Sequence, residues 1–287
     1  MTMQEASHGL KKLLQEMYDP RESANIAEWV MEDITGLYRV DRIVHHHQLL
    51  TPEQEEKYVL YANRLKDGMP VQYVTGYAWF MGSRFRVNEN VLIPRPETEE
   101  LVQWAVDDVM RSHKNSAPLS ILDIGSGSGC IPVMLKKKIP GAELHSMDIS
   151  PEALEVARSN AKDLQAEILF HQGNFLLPAT WDDLPETDLI ISNPPYIPLR
   201  DKDTLSRNVV AFEPHLAIFV DNADPLVFYR AIAEFAKTKL KNDGAIYVEI
   251  DDAQAGSLSK LIKKYGFIAE KRKDMQGRNR MMKMTRE

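Results

Sequence analysis

The sequence predicts a doubly wound α/β domain, preceded by a small helical domain and a short β-hairpin linker. Beyond residue 117, β-prone runs alternate with helical patterns, and repeated βα units of this kind imply a parallel sheet. The N-terminal part instead carries apolar side chains at helical spacing, such as Leu10, Leu14 and Met17. The chain has 287 residues, a length that suits one large domain or two smaller ones.

The helical domain is predicted over residues 1–70. Apolar residues recur at helical spacing again after the break at Pro20. Further along, Thr51 precedes Pro52 and acidic residues. This pattern is typical of a helix start, with Thr51 as the N-cap and the proline in the first turn.

The linker is predicted as a β-hairpin over residues 71–94. Short β-prone runs at 71–76, 80–87 and 91–93 are separated by glycine and asparagine. A helix over 101–109 follows the linker and opens the main domain.

The main domain is predicted over residues 95–287. Its strands are expected at 119–124, 143–148, 167–171, 188–192, 245–250, 266–271 and 280–284. Its helices are expected at 129–138, 151–164, 224–241 and 252–265. The last two strands leave no room for a crossover helix, so we expect an antiparallel hairpin at the edge of the sheet.

Composition excludes several classes of protein. The single cysteine, Cys130, excludes an intramolecular disulfide and a cysteine-ligated zinc site. Consecutive histidines at 45–47 point in different directions on a helix, so no metal site is predicted. The net charge of −7 has the wrong sign for a protein that grips nucleic acid over its whole surface. Without a membrane span or an apolar signal core, a cytoplasmic protein is expected.

The first motif with chemical content is a glycine-rich loop between a strand and a helix. It comprises Asp123, Gly125, Ser126, Gly127, Ser128 and Gly129. Glycines let a ligand approach the backbone, and the helix N-terminus offers free N–H groups. Asp148 ends the next strand about 20 residues on, where a carboxylate can accept bonds from a ribose diol. The spacing Gly-x-Gly-x-Gly favours S-adenosylmethionine over NAD, whose third glycine would fall on Cys130.

The second motif is Asn193-Pro194-Pro195-Tyr196, which follows an apolar strand. It stands at a strand's carboxyl end, where open α/β sheets bind ligands. The Asn193 amide oxygen and the Pro194 carbonyl can each accept one N–H of a planar NH₂ group. Tyr196 offers an aromatic face to the substrate or to a sulfonium cation.

The two motifs together are typical of class I methyltransferases that act on amide or exocyclic amino nitrogens. Four further segments make the chain resemble the peptide chain release factor glutamine methyltransferases, the PrmC/HemK family. These segments are residues 70–76, 92–99, 212–214 and 274–280. The resemblance implies a helical N-terminal domain that recognises the substrate, a hairpin linker and a Rossmann-like catalytic domain.

The resemblance implies transfer of the S-adenosylmethionine methyl group to the glutamine of the Gly-Gly-Gln motif in release factors. The cofactor would contact the glycine loop with Asp123, then Asp148, Asn193 and the Asn174-Phe175 pair. Asn174 stands where the family more usually has aspartate. The substrate glutamine would be held by Asn193, Pro194, Pro195 and Tyr196, with Pro94, Arg95 and Glu97 nearby. Asn193, Pro194 and Tyr196 are the expected catalytic residues.

Other functions stay open from the residues alone. A nucleic-acid adenine methyltransferase would use the same Asn-Pro-Pro-Tyr motif, and so would a glutamine methyltransferase acting on a ribosomal protein. A dinucleotide-dependent oxidoreductase would leave that motif unexplained, and a non-catalytic module would bind cofactor without transfer. With the release factor as partner, we expect a monomer that binds neither membrane nor nucleic acid directly.

Overall fold

The computed structural model describes residues 1–112 and 118–287 and divides into two compact units. The smaller unit contains Met1–Tyr77 and Arg207–Phe212, and the larger contains Ala78–Ser206 and Glu213–Glu287. Among the described residues, no helix has the length and apolar character needed to cross a membrane.

The helices and strands of the described residues have the following bounds. The helices are α1 (Met3–Leu14), α2 (Pro20–Thr35), α3 (Arg39–Val44), α4 (Pro52–Lys66), α5 (Val71–Thr75), α6 (Pro96–Ser112), α7 (Cys130–Lys138), α8 (Pro151–Asp163), α9 (Arg207–Phe212), α10 (Val227–Lys239) and α11 (Ala255–Lys264). The strands are β1 (Tyr77–Phe80), β2 (Ser83–Arg86), β3 (Ser120–Ile124), β4 (Glu143–Asp148), β5 (Leu169–Gln172), β6 (Thr187–Ser192), β7 (Ile197–Pro198), β8 (Phe219–Val220), β9 (Leu240–Glu249), β10 (Phe267–Lys273) and β11 (Asn279–Arg286).

Three helices of the smaller unit, α1, α2 and α4, begin at residues whose side chains cap them. Thr51 accepts a hydrogen bond from the backbone N–H of Gln54, and the Gln54 side chain accepts one from the Thr51 N–H. This reciprocal pair satisfies two N–H groups that a helix start leaves without partners. The predicted N-cap at Thr51 is therefore confirmed. Apolar residues of α1, α2 and α4, among them Leu10, Val30 and Leu65, pack together in one core cluster.

Two of the three β-prone runs expected in the linker are not strands. Residues 71–75 form the helix α5, because the Pro70 carbonyl accepts the N–H groups of Tyr73 and Val74 and starts a helical turn. Gly76, at φ 79°, then ends that turn in the left-handed region. At 91–93 the Ile93 N–H donates to the Glu213 carboxylate instead of to a neighbouring strand. The hairpin itself is confined to β1 and β2.

The larger unit is built on a seven-stranded sheet of order β10-β11-β9-β6-β3-β4-β5. Strands β9, β6, β3, β4 and β5 run parallel, whereas β11 is antiparallel to both of its neighbours. The predicted antiparallel hairpin at the sheet edge is confirmed. From β3 the chain winds to one side through β4 and β5, then to the other through β6 and β9. The switch point lies between β3 and β6.

Several boundaries in the larger unit differ from prediction. Helix α6 starts at Pro96, where 101 was expected, because the proline suits a first helical turn. The helix expected at 224–241 is shorter, because β9 begins at Leu240, which pairs with Thr187 of β6. The helix expected at 252–265 is preceded by a separate 3-10 turn, whose N-cap is Asp251.

Both faces of the sheet are covered, as a doubly wound fold requires. One face packs against α6, α7 and α8, and the other against α10 and α11. The hairpin belongs to the first of these layers, since Phe80 and Phe85 are completely buried in it, with their rings 6.0 Å apart and edge to face.

The burial of Phe85 predicts a large loss of stability for Phe85→Ala. Removing a completely buried aromatic ring leaves a cavity and costs about 3–5 kcal/mol of unfolding free energy. Ile268→Ala, at an exposed position on β10, is the control and should change it by about 0.5 kcal/mol or less. Chemical denaturation followed by circular dichroism measures both. Similar values for the two variants would show that the hairpin is not part of this core.

Candidate active site

The carboxyl ends of β3, β4 and β6 border a cavity of about 330 Å³. Open α/β sheets bind ligands at the carboxyl ends of their strands, beside the switch point. The cavity lies wholly within the larger unit. Both sequence motifs reach it, because one follows β3 and the other follows β6.

The glycine loop forms one wall of the cavity through residues 125–128. Gly125 and Gly127 have φ angles of 87° and 49°, which side-chain-bearing residues rarely adopt. A Cβ atom added at either glycine would meet nothing within 4 Å, so both border open space. Gly129 differs, since its Cβ would lie 3.1 Å from Ala157 of α8 and it does not line the cavity. Gly129 therefore allows two helices to pack closely.

Asp148 also lines the cavity, and backbone N–H groups hold its carboxylate. Gly127 N–H donates to Oδ2 and Ser150 N–H to Oδ1, both at 2.9 Å. A carboxylate accepts about four hydrogen bonds, so each oxygen keeps capacity for a ligand. The first of these bonds also couples the end of β4 to the glycine loop.

Asp123 lies behind the loop and is not part of the cavity wall. It is completely buried, and its Oδ2 accepts the Ser146 hydroxyl at 2.6 Å, while Oδ1 has no partner among the described residues. The Ser146 hydroxyl is in turn 2.5 Å from that of Ser126. Burial raises the pKa of the Asp123 carboxyl well above its ordinary value, and the nearby Asp148 adds to this. Its contact to the loop is indirect.

Asn160 on α8 secures the far end of the loop. Its Nδ2 donates to the carbonyls of Ser128 and Arg86, and its Oδ1 accepts the Arg86 N–H. One buried amide thus fixes both the glycine loop and the hairpin strand β2. Sequence reasoning did not single out Asn160, because a lone asparagine within a helix carries no motif.

Asn174 and Phe175 line the cavity beyond β5. The Asn174 Oδ1 accepts the Leu176 N–H at 3.0 Å, which forms an Asx turn. Phe175 is buried, with its ring 5.5 Å from Trp181 and 5.4 Å from Phe235. The turn at Asn174 leaves its Nδ2 group and the second lone pair of Oδ1 for a ligand.

The second motif places Asn193, Pro194 and Pro195 on the opposite wall. The Asn193 Nδ2 donates to Thr98 Oγ1 at 3.1 Å, and none of the described residues donates to its Oδ1. Tyr196 is not part of the wall, because its hydroxyl donates to Glu249 Oε1 at 2.9 Å. The structure thus joins Asn193 to the cavity and turns the Tyr196 hydroxyl to the protein interior.

The segment before α6 contributes Pro94 and Arg95 to the wall, whereas Glu97 does not line it. Arg95 forms an ion pair with Glu213, a buried carboxylate that also accepts the Ile93 N–H at 3.1 Å. This pair anchors the segment beside the cavity.

A buried carboxylate, Glu249, lies behind the second motif. It ends β9, is 2% exposed and accepts the Thr98 hydroxyl at 2.6 Å as well as that of Tyr196. Burial raises the pKa of Glu249, although both hydroxyls and Arg280 oppose this. Sequence reasoning assigned no role to Thr98 or Glu249. The available signal was an acidic residue at the carboxyl end of the apolar strand β9.

Comparison with known proteins supplies what the geometry alone leaves open. A family model described as "PrmC N-terminal domain" matches residues 5–76, and one described as "Methyltransferase small domain" matches residues 109–212. The release factor glutamine methyltransferase of Flavobacterium psychrophilum is 39% identical over 275 residues, 95% of each chain. The chain belongs to the release factor glutamine methyltransferase family.

Other relatives agree with this family. The release factor glutamine methyltransferase of Bacteroides thetaiotaomicron is 35% identical, over 96% of this chain and 98% of that protein. A solved methyltransferase from Pyrococcus furiosus superposes with a TM-score of 0.50 at 14% identity, covering 71% of this chain and 88% of that one. At that identity the likeness concerns the fold alone, which is the Rossmann-like fold of class I methyltransferases.

S-adenosylmethionine is the cofactor of this methyltransferase, and the cavity fits it in three respects. Gly125 and Gly127 leave open space that any Cβ would reduce. Asp148 keeps acceptor capacity on both oxygens for a ribose diol. Phe175 provides an aromatic wall on the same side, beside Asn174.

The raised pKa of Asp123 predicts how Asp123→Asn changes stability with pH. The folded state holds the proton more tightly than the unfolded state, whose pKa is about 3.9. Wild-type unfolding free energy therefore falls as pH rises from about 4 through the folded-state pKa. Because asparagine does not ionise, the variant should gain stability relative to wild type over that window.

Denaturant titrations at several pH values measure this difference, and Asp243→Asn, at an exposed position, is the matched control. A difference between Asp123→Asn and wild type that stays constant with pH would contradict the prediction.

Proposed function

We propose that this protein transfers the methyl group of S-adenosylmethionine to the side-chain amide nitrogen of the glutamine in the Gly-Gly-Gln motif of peptide chain release factors. The observation that carries the proposal is the Asn193 amide on the cavity wall. Its nitrogen is engaged by Thr98, which leaves its oxygen as an acceptor for an NH₂ group. The names of the relatives supply the identity of the substrate.

The reaction demands that the enzyme overcome a weak nucleophile. An amide nitrogen reacts poorly because its lone pair is delocalised into the carbonyl group. When bound, S-adenosylmethionine supplies an electrophilic methyl group on a positively charged sulfur. The residues of this chain therefore have to hold the NH₂ group in line with that methyl group, and positioning of this kind contributes up to roughly 7–11 kcal/mol.

Asn193 and Pro194 are proposed to supply that positioning. The Asn193 Oδ1 and the Pro194 carbonyl each accept one N–H of the substrate, which lets the nitrogen become pyramidal as it attacks. Both acceptors stabilise the positive charge that develops on nitrogen. Transfer would form the new N–C bond at the expense of the cofactor's C–S bond, and the extra proton would then leave the nitrogen to solvent. A strong general base is not required.

The remaining site residues are proposed to hold the cofactor and the substrate backbone. Residues 125–128 and Asp148 hold the methionine and ribose parts, and Asn174 with Phe175 the adenine. Pro94 and Arg95 contact the substrate beside the glutamine. We propose that the smaller unit recognises the release factor, as supported by the match of residues 5–76 to the family's N-terminal domain.

The partner is proposed to be protein and not nucleic acid, in line with the net charge of −7. Because release factors act on ribosomes, we propose that the enzyme works in the cytoplasm.

The direct test is methyl transfer from radiolabelled S-adenosylmethionine to purified release factor. A copy of the factor whose Gly-Gly-Gln glutamine is changed to alanine is the control. The proposal expects label on the unchanged factor and none on the altered copy. Label on both factors would contradict the assigned glutamine. If neither is labelled while ribosomal protein or nucleic acid is, the assigned substrate is wrong.

The acceptor role predicts that Asn193→Ala reduces methyl transfer by roughly 10²-fold or more, because the nucleophile loses its positioning. Cofactor affinity, measured by calorimetry, should stay close to that of wild type. Asn222→Ala, in an exposed turn away from the cavity, is the matched control and should leave both quantities unchanged. An equal loss of transfer and cofactor affinity in Asn193→Ala would contradict the role.

A further inference from the structure

Two consecutive hydrogen bonds connect the Asn193 side chain to a buried carboxylate. Its Nδ2 donates to Thr98 Oγ1 at 3.1 Å, and Thr98 Oγ1 donates to Glu249 Oε2 at 2.6 Å. A hydroxyl has a single proton. While Thr98 gives that proton to an ionised Glu249, it can only accept from Asn193. The Asn193 amide must then present its nitrogen to Thr98, which leaves its oxygen for the cavity.

The second oxygen of Glu249 also has a defined partner. Tyr196 donates its hydroxyl proton to Oε1 at 2.9 Å, and that hydroxyl has no other acceptor among the described residues. The nearby Arg280 cation favours the ionised carboxylate, and a guanidinium group never accepts a proton, so the Tyr196 proton stays directed at Glu249 Oε1. Any proton that Glu249 takes up therefore resides on Oε2, beside Thr98.

We propose that Thr98 and Glu249 are positioning residues of the transfer reaction: the ionised Glu249 carboxylate, acting through Thr98, holds the Asn193 oxygen toward the substrate amide. The inference rests on the function proposed above, because this orientation matters for a substrate that presents an NH₂ group. Glu249 acts from outside the cavity wall, and Thr98 transmits its effect to Asn193.

Protonation of Glu249 reverses the direction of the two hydrogen bonds that connect it to Asn193. A proton on Oε2 is donated to Thr98, so the proton of Thr98 turns toward Asn193, whose amide must rotate to accept it. Asn193 then presents its NH₂ group to the cavity, where it meets the substrate NH₂, donor against donor. Transfer should therefore slow as pH falls through the pKa of Glu249. Because burial raises that pKa, the loss begins at higher pH than for an exposed glutamate.

Neighbouring elements bring other charged groups to Glu249. Arg280 on β11 stabilises the carboxylate and forms an ion pair with Asp274, while Glu97 on α6 disfavours the ionised form. Burial opposes the charge on Arg280, but the Asp274 and Glu249 carboxylates raise the pKa of its guanidinium, so Arg280 stays cationic when Glu249 titrates.

Two tyrosines also contact Glu249. Tyr196 bonds to the carboxylate, and Tyr229 on α10 donates to the backbone carbonyl of Glu249 at 2.9 Å. Burial raises the pKa of both hydroxyls far above their ordinary value, so both tyrosines stay neutral over the working pH range.

The test is the pH dependence of kcat at saturating release factor and S-adenosylmethionine. Thr98→Val removes the hydroxyl at nearly constant volume, so Asn193 loses its fixed orientation. We expect kcat to fall roughly 10²-fold, with KM and cofactor affinity little changed. Thr98→Ser keeps the hydroxyl and should restore transfer relative to Thr98→Val.

Glu249→Gln tests the direction of the hydrogen bonds between Asn193, Thr98 and residue 249. Its amide oxygen accepts from Tyr196 and its NH₂ group donates to Thr98, which is the arrangement of the protonated acid. We expect a low kcat that does not rise with pH, whereas wild-type kcat rises through the pKa of Glu249. Thr238→Val and Glu234→Gln, both on α10 and away from the cavity, are the matched controls and should keep the wild-type profile.

Each outcome decides the matter. The inference is overturned if the kcat of Glu249→Gln falls at low pH as the wild-type kcat does. It is also overturned if Thr98→Ser and Thr98→Val lose kcat equally. If calorimetry and circular dichroism show that Thr98→Val does not fold, the Glu249→Gln profile alone decides. If the wild-type protein transfers no methyl group to the release factor, the proposed function and the inference are both overturned. If wild type transfers the methyl group and the kcat of Glu249→Gln still falls at low pH, only the inference is overturned.

Discussion

The site depends on one interaction, the burial of the Glu249 carboxylate beneath two hydroxyl groups. An isolated buried charge is costly, and it persists where hydrogen bonds and a nearby cation compensate it. Thr98, Tyr196 and Arg280 provide this compensation. Because these partners come from α6, the loop after β6 and β11, the carboxylate ties together elements that are distant in sequence.

The sheet explains why those elements meet. Strands β3, β6 and β9 are parallel neighbours, so their carboxyl ends lie side by side at the same end of the sheet. The glycine loop follows β3, the Asn-Pro-Pro-Tyr motif follows β6, and Glu249 ends β9. Cofactor loop, substrate acceptor and orienting carboxylate thus lie side by side along the switch point. The antiparallel strand β11 adds Arg280 from the opposite chain direction.

Much of this arrangement follows from local sequence signals. The strand–glycine loop–helix pattern and the prolines after β6 have strong backbone preferences, so their positions at the cavity could be predicted. Residues 71–75 show the limit of such signals. Their β-propensity yields to the turn that Pro70 and Gly76 impose. Likewise the sequence places Asp123 in the loop motif. Side chains alternate between the two faces of β3, however, and that of Asp123 points to the interior, where it accepts the Ser146 hydroxyl.

The residues that sequence reasoning missed act over long sequence separations. Thr98 and Glu249 are 151 residues apart, and Asn160 joins segments 74 and 32 residues away. No local pattern encodes such contacts, because they arise when tertiary folding brings the strand ends together. Their hydrogen-bond directions become evident in the structure, where each donor and acceptor can be assigned in turn.

In the proposed reaction the Asn193 oxygen accepts a hydrogen bond from the substrate amide. The most direct test of this hydrogen bond is a crystal structure of the enzyme with S-adenosylhomocysteine and a release factor bound. We expect the glutamine nitrogen, identified as the amide atom nearer the homocysteine sulfur, at about 3 Å from Asn193 Oδ1. Asn193 Nδ2 should remain on Thr98. A glutamine whose carbonyl oxygen faces Asn193, or an Asn193 amide turned with its nitrogen toward the substrate, would contradict the acceptor role of Asn193.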